Sequence, residues 1–164
     1  MTLLAAASDL LAREGLYLDE RRWDDWLALY CEDCTFWAPS WLDEEVQSND
    51  PERQISLFYF SSRAGLEDRV WRIRSGQAPS LVPIPRTTHL IANPVLDDCA
   101  TGDAMVVRSA WTCHIYTLRN RTQHVFFGRY EHHLVRLGGD WRIQHKKITL
   151  MNDFVPAMLD VFCV

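Results

Sequence analysis

Four long strand-like runs occupy residues 87–150 of this 164-residue chain, and they constrain the fold more than any other feature. They fall at about 87–96, 104–118, 122–137 and 141–150. In the second run Met105, Val107, Trp111 and Ile115 share one face, and Arg108, Thr112 and His114 share the other. Alternation of this kind marks a half-buried strand. The links Asp97–Asp103, Arg119-Asn120-Arg121 and Gly138-Gly139-Asp140 are short and turn-like. Parallel strands need crossovers of about a dozen residues or more, so these runs are antiparallel neighbours. Strands this long twist and coil, which predicts a strongly curved sheet.

Helices precede the meander. Leu4, Ala7, Leu11 and Leu18 predict an amphipathic helix over 3–18. Asp19 reads as the N-cap of a second helix, on which Trp23, Trp26, Leu27 and Tyr30 form an apolar stripe. Asp24 and Asp25 fall early in it, where the helix dipole favours acids. Thr35 to Trp37 is β-prone and stops at Pro39, before an acidic loop at Asp43-Glu44-Glu45. Residues 54–61 read as a strand. Leu66, Val70 and Ile73 mark a third helix, closed by Gly76. Pro79, Pro83 and Pro85 make 77–86 an extended loop. Gly128 is expected at a bulge where the sheet bends. No repeat or linker divides the chain, so 1–164 is one domain. The class is α+β, with N-terminal helices packed in a strongly curved, mostly antiparallel sheet. This pattern resembles the cone-shaped fold of nuclear transport factor 2 and its relatives.

Charge is divided along the chain. Residues 1–52 hold 13 acidic and 3 basic side chains, net −10; residues 53–164 hold 9 acidic and 14 basic, net +5; together these give the overall −5. Such a division suits self-association or a partner of mixed charge. It does not suit nucleic acid, which needs a basic face on the domain. The basic residues are 15 Arg and 2 Lys, and arginine is favoured at contacts needing planar, bidentate pairing. The segment 65–93, dense in arginine and proline, has the chemistry of a surface held by another protein. No apolar stretch approaches the roughly 20 residues of a membrane span. Five cysteines at irregular spacing, with no signal peptide before them, predict a cytoplasmic protein with reduced thiols.

Candidate chemistry is sparse. Cys31-Glu-Asp-Cys34 is a lone C-x-x-C, whereas zinc takes four ligands. Glu131 and His133 could share a strand face with His114 or His145, as a facial iron triad would need, but the spacing does not demand it. Rieske spacing, Cys-x-His with Cys-x-x-His, does not occur. A stand-alone pocket enzyme of the isomerase or dehydratase kind, or a small-ligand-binding module, is the alternative, with Asp33, Tyr30, Tyr59, His89 and Tyr116 as candidates. Phe36, Trp37, Phe58, Phe60 and Trp111 could equally fill the cone.

Three blocks resemble the small (beta) subunits of aromatic-ring-hydroxylating, Rieske-type dioxygenases of the benzoate, anthranilate and halobenzoate type. They are Leu18–Tyr30 with Phe36–Trp41, then Asp50–Arg72 with Pro85-Arg86-Thr87 and His89–Asn93, then Phe127-Gly128 with Leu150, Asn152-Asp153 and Leu159-Asp160. Leu66-Glu-Asp-Arg69 followed by Pro85-Arg-Thr87 is the most specific part. The resemblance implies a cone fold, an α3β3 hexamer with a large (alpha) subunit, and no catalytic, cofactor-binding or metal-binding residue on this chain. The Rieske 2Fe–2S cluster and mononuclear Fe(II) are expected on the large subunit, which adds O2 to a ring with electrons from an NADH-dependent reductase. Arg63, Arg69, Arg72, Arg74 and Arg86 would then lie at subunit contacts. Pro94, where a β-branched residue is expected, should bend or bulge its strand.

Overall fold

A computed structural model describes residues 2–156 and 158–164. In chain order its elements are α1 (Leu3–Asp19), α2 (Trp23–Ala28), β1 (Tyr30–Pro39), β2 (Ser56–Phe60), α3 (Arg63–Ser75), β3 (Arg86–Leu96), β4 (Ala104–Thr117), β5 (Thr122–Leu137) and β6 (Asp140–Leu150). One turn of 3-10 helix interrupts the proline-rich loop at Pro79–Leu81, and another, Val161–Cys163, lies near the end of the chain.

The four long strands form the predicted antiparallel meander, β3-β4-β5-β6. The chain then completes the sheet from its earlier part. β1 lies parallel to β6, with Phe36 opposite Lys146, and β2 pairs antiparallel with β1. The six-stranded order is β2-β1-β6-β5-β4-β3. The inner face buries Met105, Val107, Trp111, Cys113 and Ile115 of β4 and Phe126, Tyr130 and Leu134 of β5. α1 turns Ala7, Leu11 and Leu18 inward, α2 supplies Trp23 and Trp26, and α3 supplies Leu66, Val70 and Ile73. Gly76 ends α3 at φ 65°, the left-handed conformation that glycine adopts without cost.

Three local expectations need correction or refinement. Asp19 does not cap the second helix; it is the last residue of α1, and Arg22 holds the capping position without a side-chain bond. The carboxylate is taken by β3 instead, where it accepts from Thr87 Oγ1 at 2.8 Å, the His89 N–H at 2.8 Å and His89 Nδ1 at 2.6 Å. Tyr30 opens β1 rather than closing α2, so that strand is longer than its β-prone centre suggests. The strand bends at Pro94 as expected: register slips between Ala92 and Val95, with Asn93 at φ 55°.

Gly128 is not at a bulge. It pairs in register with Trp111 and Leu150, and the irregularity between β5 and β6 falls at His133/Leu134. What requires glycine is space, since a Cβ there would stand 1.8 Å from the Thr149 carbonyl oxygen. Backbone cannot withdraw as a flexible side chain can. Gly128→Ala is therefore expected to cost about 3 kcal/mol, the upper end for overpacking, read as a lowered denaturant midpoint.

Candidate functional site

In a curved sheet wrapped on helices, the natural place for chemistry is the interior. Here it is filled. Trp26, Tyr30, Phe36, Phe126, Tyr130 and Phe162 are all less than 2% exposed. Their rings pack edge to face and in stacks: Trp26 on Tyr30 at 5.3 Å between centroids, Trp111 on Tyr130 at 4.9 Å. The segment Val161–Val164 is buried too, and the Trp23 and Phe162 rings lie 6.3 Å apart.

Within this apolar filling sits a group of charged and polar side chains that the sequence reading missed. Glu14 of α1 accepts from Lys146 Nζ of β6 at 2.9 Å, from His132 Nε2 of β5 at 3.0 Å, and from the Tyr30 hydroxyl of β1. Lys146 and His132 are direct partners across the sheet, so one row of the inner face meets one helix position. Lys146 also stands 4.2 Å from the Tyr130 ring centroid and reaches the Val164 carbonyl oxygen at 3.5 Å. Burial disfavours the Glu14 carboxylate, but Lys146 and His132 together outweigh it and hold the group well below the usual carboxylate range. Burial likewise lowers the His132 value, which favours neutral imidazole with its proton on Nε2, facing Glu14. The group is thus one ion pair inside a set of neutral donors, with no charge left over to act on a substrate.

The anticipated pocket residues do not converge. Tyr30 is consumed by Glu14, and His89 is tied to Asp19 rather than to Asp33. Asp33 is exposed on β1, while Tyr59 stands opposite Trp37 and Tyr116 opposite Arg86 on the sheet's outer side. Cys31 and Cys34 are free and buried, and burial pushes the Cys34 thiol up to about 12, so neither is poised as a thiolate. On the outer face His133 Nε2 meets Glu131 Oε1 at 3.0 Å, and the His133 and His145 rings lie 5.0 Å apart. Glu131 is also held by Arg108 at 3.2 Å, and among the described residues no group of three His, Cys, Asp or Glu is placed to hold a metal ion.

The five arginines divide in two. Arg63 bonds Glu67 at 2.9 Å and the Tyr30 carbonyl at 3.3 Å, and Arg74 bonds Asp24 at 2.8 Å. Arg69 closes a fork on the buried Asp160, at 3.0 and 3.2 Å, tying α3 to the C-terminal segment. Arg72 and Arg86 are exposed and engage no carboxylate among the described residues.

These contacts carry two predictions. Lys146→Met strands a buried carboxylate and is expected to lose about 3–5 kcal/mol of stability, most of it recovered in Glu14→Leu/Lys146→Met, as measured by urea unfolding. Arg69→Ala leaves Asp160 without its cation and is expected to cost about 2 kcal/mol, seen as faster amide exchange across Val161–Cys163.

Residues 13–157 match the family model described as ring hydroxylating beta subunit. The chain is 38% identical to toluate 1,2-dioxygenase subunit beta of Pseudomonas putida, over 97% of this chain and 96% of that one. It superposes on the beta subunit of benzoate 1,2-dioxygenase from Burkholderia mallei with a TM-score of 0.83 and 35% identity, covering 100% and 99% of the two chains. A naphthalene 1,2-dioxygenase chain, 19% identical with a TM-score of 0.79 over 94% of this chain and 82% of that one, shares the fold. The fold is the cone of the nuclear transport factor 2 type, and the chain belongs to the beta subunits of the aromatic-ring-hydroxylating dioxygenases.

Proposed function

We propose that this chain is the small subunit of a cytoplasmic dioxygenase acting on an aromatic carboxylate, and that three copies join three large subunits in an α3β3 oxygenase. The large subunit, with its Rieske cluster and mononuclear iron, adds O2 to the ring with electrons that a reductase draws from NADH. The observation that carries this reading is the closed interior. The volume in which a cone fold could hold a substrate contains packed aromatic rings and a self-satisfied ion pair. The substrate class follows from the relatives, whose names specify toluate and benzoate, both aromatic carboxylates. Arg72 and Arg86 are the members of the arginine set free to grip another chain, whereas Arg63, Arg69 and Arg74 are engaged within this one.

The test is reconstitution. Large subunit, reductase, NADH and benzoate are combined with and without this chain, and cis-diol product and bound iron are measured. Product is expected only when the large subunit is present, with iron bound to that subunit and a stable assembly only when both chains are mixed. Product formed by the isolated 164-residue chain, or a large subunit that assembles indifferently without it, would overturn the reading.

A further inference from the structure

Protein interiors leave few voids larger than a water molecule. One end of this cone is an exception. Where β4 and β5 run out beyond the packed rings, the proline-rich loop, the β4–β5 turn and the C-terminal segment enclose a cavity of about 200 Å³. Its apolar walls are Val82 and Pro83 of the loop, Ile115 of β4 and Met158. A cavity of about 150 Å³ holds one benzene ring, so this one has room for a ring and a small substituent. Pro79, Pro83 and Pro85 fix φ along the loop and resist its collapse into the space.

Two polar side chains on its lining give the cavity a chemical preference. His124 of β5 stands opposite Ile115 of β4, at the border between the cavity and the filled core. Its ring meets Phe126 edge to face at 4.9 Å between centroids, and its Nε2 is buried without a hydrogen-bond partner among the described residues. Burial lowers the His124 value, so the imidazole is neutral at neutral pH, and a neutral ring can carry its proton on Nε2 and present an N–H. In the turn, Arg119 Nη2 donates to the Pro79 and Val82 carbonyl oxygens at 3.1 and 3.0 Å, which pins the guanidinium to the loop. Its Nε and Nη1 remain unengaged, and no carboxylate pairs with it, among the described residues. A cationic ligand would be opposed by Arg119, and a ring without a polar group would leave the imidazole unsatisfied. The complement of an uncompensated guanidinium and an unpartnered imidazole on an apolar, ring-sized space is a planar ring bearing an anion.

We propose that this cavity binds a single-ring aromatic carboxylate, with the ring against Val82, Pro83, Ile115 and Met158 and the carboxylate accepting from Arg119 and from the His124 Nε2–H. The lining itself selects this class of ligand; the proposal rests on the small-subunit reading above only for where such a molecule comes from, since that reading makes it a substrate of the oxygenase. The site binds and does not react. The Cys163 thiol, which also lines the cavity, is pushed up to about 12 by burial and offers no thiolate. One ligand there touches the loop, the turn and the C-terminal segment together, so occupancy is expected to steady all three.

The experiment titrates benzoate, and separately toluene, into the full chain, following heat and the side-chain nitrogen resonances of His124. The wild-type chain is compared with Arg119→Gln, His124→Phe and Val82→Trp, and amide spectra confirm that each variant is folded. Benzoate is expected to bind saturably with a Kd of about 1 mM or below and to move His124 to the Nε2–H form. Toluene is expected to bind at least about tenfold more weakly. Arg119→Gln keeps an amide donor for the loop carbonyls, and His124→Phe keeps a ring; each is expected to weaken benzoate at least about tenfold and to leave toluene unchanged. Val82→Trp fills the space and is expected to abolish both. The proposal is overturned if benzoate does not saturate by about 10 mM, if saturation leaves the His124 resonances unmoved, if toluene binds as tightly as benzoate, or if either polar variant keeps the wild-type affinity. Assembly with the large subunit is scored separately. A chain that assembles but fails these titrations overturns the site alone, whereas a chain that binds benzoate but does not assemble overturns the small-subunit reading alone.

Discussion

A carboxylate buried at the centre of an aromatic core is tolerable only when donors from several directions close on it. Glu14 meets that condition by drawing on α1, β1, β5 and β6 together: its own helix, Tyr30, His132 and Lys146. A slip of one residue in the pairing of β5 with β6 would turn His132 or Lys146 to the outer face and leave the carboxylate stranded. The interaction therefore specifies register and helix placement more than it adds net stability. An apolar trio of similar volume would tolerate neighbouring registers that this one does not.

The same interaction decides what the interior can do. A cone that served as an active site would keep a base with a free lone pair next to space for a ligand. Glu14 spends its lone pairs on internal donors, and the rings of Trp26, Tyr30, Phe36 and Tyr130 take the volume. Asp19 and His89 form the other internal acid–base pair. Asp19 accepts the His89 N–H and the Thr87 hydroxyl on the free edge of β3, which ties α1 to that edge, while His89 Nε2 is left without a partner beside an open cleft of about 680 Å³ between α1 and β3. An edge strand capped this way is also blocked against stray pairing with another chain. Burial of the Cys34, Cys113 and Cys163 thiols raises each above its ordinary value, so none of these three is poised as a thiolate.

Much of the fold was legible because period-two alternation in β4 and β5 and short turns leave few arrangements open. What escaped was long-range. That β1 joins β6 in parallel depends on an interaction between residues more than a hundred apart, which alternation within either strand does not encode. Asp19 has the local chemistry of a helix cap, but its partners lie about seventy residues on, in β3. Gly128 signals a backbone constraint without saying which, and the constraint proved to be the Thr149 carbonyl rather than a bulge. The Glu14 group did leave a trace. Glu14 falls in phase with Ala7, Leu11 and Leu18, His132 with Tyr130 and Leu134, and Lys146 with Ile148 and Leu150. A single charged residue on an apolar phase reads as noise, whereas one acid and two bases on three such phases make a balanced set.

The arginine-rich segment shows why residue type alone does not locate a contact. Arg63, Arg69 and Arg74 share helix α3 with Arg72, yet each of the three finds a carboxylate within the chain: Arg63 has Glu67 one turn on along α3, and Arg74 and Arg69 reach Asp24 of α2 and Asp160 of the C-terminal segment. A guanidinium so occupied would have to break an existing pair to grip a partner, and the exchange gains little. An arginine with no internal carboxylate in reach loses only water on docking. Arg86 differs in this respect, since the β3 outer face places it beside Thr88 and Leu90 rather than beside an acid. Whether an arginine is free for a contact is thus set by what its own chain offers it, and that is visible only once the chain is folded.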